Sequence, residues 1–154
     1  MGAIEYREAT KPDIAGMARL RALDWENEAF WTPRIEGYMK GTHHPQRALA
    51  PRVTYVAMDN GTLAGFIAGH LTQRFGCAGE LQWITVAPEC RRKGIASELI
   101  RLLAGWFVAR KAARVCVNVS PGNADAHAFY RRRWAEFFNE SWLVWEDIGI
   151  VLKD

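Results

Sequence analysis

The hydrophobic pattern switches several times between the 3.6-residue period of a helix and the 2-residue period of a strand. Ile4 to Glu8 reads as a short extended segment. Thr10-Lys11-Pro12-Asp13 has the marks of a helix start, because Thr10 can cap, Pro12 is tolerated in a first turn and Asp13 suits the positive helix end. Ile14, Met17, Ala18 and Leu20 to Leu23 then give a helical stripe to about Asp24. Pro33 to Met39 predicts a second, shorter helix with Ile35 and Tyr38 or Met39 inward. Between Gly41 and Arg52, His43-His44-Pro45 and a second proline read as loop. Val53 to Met58 is rich in β-formers, Asn60-Gly61 is a preferred hairpin pair, and Leu63 to Leu71 reads as the return strand. Gly65 and Gly69 inside that strand predict a bulge or a close backbone approach. Arg74 to Gly79 reads as loop.

The second half opens with Glu80 to Val86, almost continuously apolar and so expected to be a strand buried on both faces. A turn, Ala87 to Gly94, separates it from a long amphipathic run in which Ile95, Leu99, Leu102, Leu103 and Trp106 share a face. Arg114 to Val119 is another β-branched strand. Strand, helix and strand at this spacing imply parallel pairing through a right-handed crossover. Pro121-Gly122-Asn123 breaks the chain, Ala124 to Arg133 reads as a short helix, and Phe137 to Ser141 and Trp142 to Ile150 as two closing strands. Repeats, low-complexity tracts and linkers are lacking, so the expectation is one mixed α/β domain over residues 1–154.

Composition narrows the function classes. With 49% hydrophobic and 24% charged residues the chain is of ordinary globular make-up. A net charge of +3 is too small to argue for nucleic acid by itself, but it fits an anionic small molecule. The three cysteines, Cys77, Cys90 and Cys116, are odd in number and widely spaced, which supports neither a disulfide framework nor a zinc knuckle. A reducing cytoplasm is the simplest setting. The N-terminus lacks a charged region followed by an apolar run, so no secretory leader is expected; Tyr6 replaces the Ser or Thr of a myristoylation signal, and no apolar run approaches a membrane span.

The stretch with most chemistry is Val86-Ala87-Pro88-Glu89-Cys90-Arg91-Arg92-Lys93-Gly94-Ile95-Ala96-Ser97. It places three adjacent cations and several free backbone N–H groups at a helix start, where the helix dipole is already positive. Such an arrangement suits a bound anion, while its plain alternative is a solvated basic turn. Neither GxxxxGK[ST] nor GxGxxG is present, which disfavours a P-loop nucleotidase or a dinucleotide-binding dehydrogenase. A second cluster, Asn123 to Tyr130, sets small alanines beside a tyrosine. A phenol there could donate a proton late in a reaction, or be an ordinary half-buried aromatic.

Together these two stretches are specific. Val86-x-Pro88-x-x-Arg91-x-x-Gly94-x-Ala96 resembles the acetyl-CoA pyrophosphate loop of the GNAT superfamily of N-acetyltransferases. Asn123-x-x-Ala126-x-x-Phe129-Tyr130 resembles that superfamily's later motif, and the order of elements matches over nearly the whole chain. Trp134 departs from the pattern, standing where the family commonly has glycine. The resemblance implies a central, mostly antiparallel mixed sheet with a splayed parallel strand pair and about four helices. It implies that acetyl-CoA lays its pantetheine arm along the main chain of Ile84, Thr85 and Val86. The pyrophosphate would rest on N–H groups of Arg92, Lys93, Gly94, Ile95, Ala96 and Ser97, with help from the side chains of Arg91, Arg92 and Lys93. Asn123 and Tyr130 would line the thiol end, Tyr130 as general acid to the leaving thiolate, and backbone N–H near Val86 would polarise the thioester carbonyl.

The acceptor amine must lose a proton, and the resemblance points to Glu80 as base, directly or through water; a strand-end carboxylate in solvent is the alternative. Strict alternation puts Glu80, Gln82 and Ile84 on one face, with Gln82 as a further polar contact. His70 is the alternative base by strand position, and His43-His44-Pro45 lies in a loop that could reach the acceptor. No histidine has a carboxylate or cysteine partner at ligand spacing, so no metal is expected. Arg131-Arg132-Arg133 reads as a solvated helix end, with contact to the cofactor 3′-phosphate as the other reading. Trp25, Phe30 and Trp31 form either an aromatic wall of the acceptor pocket or core. The expected activity is transfer of acetyl from acetyl-CoA to a primary amine of a small molecule or peptide, in a ternary complex without a covalent intermediate. A non-catalytic CoA-binding or sensing domain is the alternative. Nucleic acid and membrane are not expected partners, and the resemblance makes a homodimer an expected assembly.

Overall fold

The computed structural model of the chain describes residues 3–42 and 49–153; the His43-His44-Pro45 segment lies outside the described residues. Among the described residues, eleven helices and strands follow one another: β1 (Glu5–Glu8), α1 (Ile14–Ala22), α2 (Glu28–Lys40), β2 (Leu49–Asp59), β3 (Thr62–Leu71), β4 (Gly79–Val86), α3 (Ile95–Ala109), β5 (Val115–Asn118), α4 (Ala124–Arg131), β6 (Glu136–Asn139) and β7 (Trp142–Trp145). The strands form one sheet in the order β1-β2-β3-β4-β5-β7-β6. Among the described residues only β4 and β5 pair parallel; the other neighbours are antiparallel. This is the mixed, mostly antiparallel α/β architecture with four α-helices that the sequence predicts.

Several boundaries differ from the sequence reading, each for a local reason. Helix α2 begins well before Pro33, because Asn27 caps it: its side-chain oxygen accepts from the Phe30 N–H at 2.9 Å. Pro33 therefore sits inside the helix, where it forfeits one backbone bond. Strand β2 starts at Leu49 rather than Val53, its extra residues pairing with β3 beyond an irregularity between Leu49 and Arg52. The last strand ends at Trp145 instead of Ile150, where Asp147 Oδ1 accepts from the Gly149 N–H at 2.9 Å and turns the chain. A 3₁₀ segment, Ile148–Lys153, follows and packs on α3. In α3 the core face is Ile95, Leu99, Ile100, Leu103, Ala104, Trp106 and Phe107, with Leu102 only half-buried.

Helix α3 covers one sheet face at unusually close range, and glycines permit it. A Cβ at Gly79 would lie 2.4 Å from the Phe107 ring, and one at Gly69 would lie 2.8 Å from Leu103. Contacts that short do not exist for real side chains, so the bare backbone lets α3 settle on β3 and β4. On the other face, α1 and α2 carry an aromatic cluster in which Trp31 lies 5.9 Å from Trp83, and Tyr38 lies 5.1 Å from it.

The N-terminal turn is pinned by one buried carboxylate. Asp13, 7% exposed, accepts from Arg7 through two bonds of 2.8 and 3.0 Å and from the Thr10 N–H at 2.7 Å. The Arg7 bonds hold this carboxyl below its ordinary value of 3.8. A lowered value means that the stabilisation is complete above pH 3.8 and is lost as the pH falls through the folded-state value. Asp13→Asn is expected to cost about 2 kcal/mol at neutral pH, from charge-assisted bonds. That corresponds to a melting-temperature drop of roughly 4–8 °C. The two proteins should converge in strong acid, which thermal melts across pH will check; a pH-independent gap would contradict the assignment.

Candidate active site

The site originates in one extra residue. Ala68 pairs with Trp83 and Gly69 with Leu81, so Gln82 has no partner on β3 and forms a bulge. The bulge resets the alternation. Glu80 falls on the α1–α2 face, opposite His70, with Trp83 and Thr85, whereas Ile84 and Leu81 face α3. The expectation that Glu80, Gln82 and Ile84 share one face is therefore corrected, since it assumed an unbroken strand.

At the same level β4 and β5 part. Their parallel pairing runs only through Gly79–Val115, Glu80–Cys116 and Leu81–Val117, and Asn118 then pairs with β7. Beyond the bulge the strands leave a cavity of about 460 Å³, lined by Glu80, Gln82, Ile84 and Val86 of β4, by Asn118 to Ser120, by Asn123 and Tyr130, and by Arg21 from α1. A second cavity of about 430 Å³ adjoins it across Val86, Ala96 and Phe129. That one is the basic turn: Arg91, Arg92, Gly94, Ile95, Ala96 and Ser97 line it, together with Arg132 and Arg133.

Local structure explains the turn's chemistry. Arg92 and Gly94 both adopt left-handed backbone, with φ of 67° and 77°. The first intrahelical bond of α3 runs from the Glu98 N–H to the Gly94 carbonyl, so the amides just before it point outward without helical partners. Arg133 binds the Ser97 hydroxyl at 2.6 Å and stacks 3.7 Å over Phe129, joining the end of α4 to the start of α3. The Arg132–Arg133 pair thus belongs to the cavity wall. Lys93 and Thr85 do not line either cavity: the Lys93 ammonium lies 3.5 Å from Asp59, and Thr85 Oγ1 accepts from Arg21 at 3.3 Å.

Glu80 is 6% exposed and lines the first cavity. Arg74 donates to it at 3.1 Å. His70 is fully buried behind it, its Nε2 3.6 Å from the Glu80 carboxylate and its Nδ1 2.8 Å from the Tyr38 hydroxyl. Burial pushes the Tyr38 phenol up, so it stays protonated and can donate to His70. His70 is therefore a neighbour of Glu80 and not a cavity-lining group. His127 lies elsewhere, 3.0 Å from the Ser120 carbonyl.

Asn123 caps α4, accepting from the Ala126 N–H at 3.1 Å, and so orients the helix that carries Tyr130. Tyr130 is 5% exposed, edge-on to Phe129 and Trp145. Burial raises its phenol pKa, and the charge of Arg21 works against that rise. Helix α4 closes with a Schellman pair, Ala135 N–H to Tyr130 carbonyl and Trp134 N–H to Arg131 carbonyl, which requires left-handed backbone at Trp134. Its φ is 74°. A glycine would take that conformation freely, whereas Trp134 bears a strain of about 1–2 kcal/mol with its ring still 45% exposed.

Arg21, Trp83 and the His70–Tyr38 pair escaped the sequence reading. Arg21 gave no signal, since a lone arginine beside a helical stripe looks like solvent face. Of the aromatic residues considered for a pocket wall, Trp31 is buried core and Trp25 is exposed, while the cavity is lined by Trp83, Phe129 and Tyr130 instead.

A family model described as Acetyltransferase (GNAT) family matches residues 17–135. No curated protein matches the sequence significantly. Among solved structures, the chain is similar to a putative acetyltransferase of the GNAT family from Desulfovibrio desulfuricans, at 15% identity and a TM-score of 0.74, covering 95% of this chain and 99% of that one. It is also similar to the PaiA N-acetyltransferase of Thermoplasma acidophilum, crystallised with coenzyme A, at 16% identity and a TM-score of 0.68, covering 95% and 99%. An aminoglycoside 6′-N-acetyltransferase from Acinetobacter haemolyticus matches at 17% identity and a TM-score of 0.74, covering 88% and 92%. At such identities these likenesses concern the fold alone.

Proposed function

Because the chain belongs to the acetyltransferase (GNAT) family, we propose that it moves the acetyl group of acetyl-CoA to a primary amine by direct attack in a ternary complex. The observation that carries this reading is the junction of two cavities at Val86, Ala96 and Phe129, beyond the bulge. One has the outward amides and arginines that suit a pyrophosphate, and the other has the unpaired edge of β4 that suits an extended amide-bearing arm.

The steps assigned to the side chains are as follows. The neutral amine nitrogen attacks the thioester carbonyl carbon, forming the C–N bond. Glu80 takes the proton the amine gives up. Backbone N–H near Val86 holds the charge that develops on the carbonyl oxygen. The C–S bond then breaks, and the departing thiolate receives hydrogen-bond donation and a proton from Tyr130. No covalent nucleophile is assigned: all three cysteines are buried and free, Cys77 and Cys116 sit apart from both cavities with thiol pKa values raised by burial, and Cys90 lines the cavity assigned to the pyrophosphate, not the one assigned to the thioester.

The test is CoA release from acetyl-CoA across a panel of primary amines, followed on the Arg91→Ala/Arg92→Ala protein. Charge-assisted bonds to phosphate oxygens make the expected rise in KM for acetyl-CoA about tenfold or more. The expected kcat stays within about threefold, because the loop is remote from the bonds that change. Acetyl-CoA binding with no CoA release for any amine would favour a non-catalytic sensing domain. An unchanged KM would remove the loop from the cofactor site.

A further inference from the structure

Arg21 is the unexplained charge of the cleft. It rises from α1 to rest at Thr85 Oγ1, 3.3 Å away, with its guanidinium 4.4 Å over the Trp31 ring. It lines the 460 Å³ cavity. Its Nε is sealed from solvent and has no hydrogen-bond partner among the described residues. Among the described residues no carboxylate forms an ion pair with it; Asp24 acts only through space. Burial lowers its pKa, yet a guanidinium remains charged at any physiological pH. A mostly buried cation without a counter-charge is costly, and the cost is recovered when an anion docks on it.

The other charges of the cavity are few. Of its lining groups only Glu80 is acidic, and Arg74 already bonds it; Tyr130 stays protonated. The phosphates of acetyl-CoA do not supply the missing anion under the reading above, since they belong to the adjoining cavity, which Arg21 does not line. The thioester itself is neutral. The remaining source is the acceptor. A polycationic amine would meet one occupied carboxylate and an opposing cation. An amine that also carries a carboxylate would meet a partner for each end.

We propose that Arg21 recognises a carboxylate on the acceptor, so that the substrates are small amino acids and not polycationic amines. This rests on the acetyl-transfer reading of the same site. Arg21 suits the role by geometry: a planar fork, pre-positioned by the Trp31 stack and the Thr85 hydroxyl, can pair with a carboxylate through two bonds.

The experiment compares wild-type kcat/KM for amino acids, including ω-amino acids of increasing length, with their carboxamides, with a polyamine and an aminoglycoside, and with peptides that begin with an acidic residue. Carboxylates are expected to exceed their amides by about tenfold or more. Arg21→Gln should erase that preference by raising KM for the carboxylates about tenfold more than KM for the amides. Turnover of acidic-start peptides above free amino acids would overturn the assignment of small amino acids as the substrates. Amides or polyamines turned over as well as the acids would overturn the inference. So would an equal loss of kcat on every amine in the Arg21→Gln protein, which would mark a role at the reacting carbonyl. No CoA release with any amine would instead overturn the acetyl-transfer reading beneath it. The wild-type panel decides the matter even where the variant folds poorly.

Discussion

Tyr130→Phe is expected to lower kcat about 10²-fold while acetyl-CoA binds within about twofold of wild type. The magnitude follows from the environment of the phenol. Burial keeps its pKa above the ordinary value of 10.0, so the hydroxyl is protonated throughout the working range. A free thiol has a pKa near 8.5, below that of this phenol, so complete proton transfer to the thiolate is uphill even when the C–S bond has broken. Tyr130 therefore contributes late and partly as a hydrogen-bond donor, which puts its effect at the low end of the usual 10²–10⁴ range for acid–base groups. Phenylalanine keeps the edge contacts to Phe129 and Trp145, so thermal stability should hold and separate chemistry from packing. The proton-donor role is lost if kcat stays within about threefold in steady-state CoA release.

How much of this was legible in the sequence differs by element. The turn from Val86 to Ser97 and the cap-to-tyrosine stretch Asn123 to Tyr130 could be read because their chemistry is local: a run of cations, a glycine before a helix, and an asparagine cap act within a dozen residues. The parallel β4–β5 pair followed from the strand–helix–strand spacing alone. Glycines inside β3 announced close approach, though the partner, Leu103 in α3, could not be known. The bulge at Gln82 was hidden because no residue type demands it, and with it went the facing of Glu80. Arg21 was invisible for a stronger reason. Its meaning comes from Thr85, 64 residues away, and from the lack of an ion-pair partner among the described residues, and neither leaves a pattern in the chain. Trp134 departs from the family's pattern, and its left-handed backbone shows why glycine suits that position.

Glu80→Gln provides the other large effect and carries its own control. At neutral pH most of an amine with a pKa near 8 or above is protonated and cannot attack. With the base removed, kcat/KM should fall about 10²-fold at pH 7. Raising the pH deprotonates the amine in solution, so the deficit should shrink steadily toward alkaline pH. Glutamine keeps the volume of Glu80 and can still accept from Arg74, which leaves the cavity wall in place. His70 offers no replacement, because it is buried behind position 80 and held by the Tyr38 hydroxyl. A merely structural carboxylate, one that only anchors Arg74, would give a deficit of the same size at every pH. The pH profile of kcat/KM for the variant against wild type thus separates a proton acceptor from an anchor, and a flat ratio from pH 6 to 9.5 would assign Glu80 to the anchor.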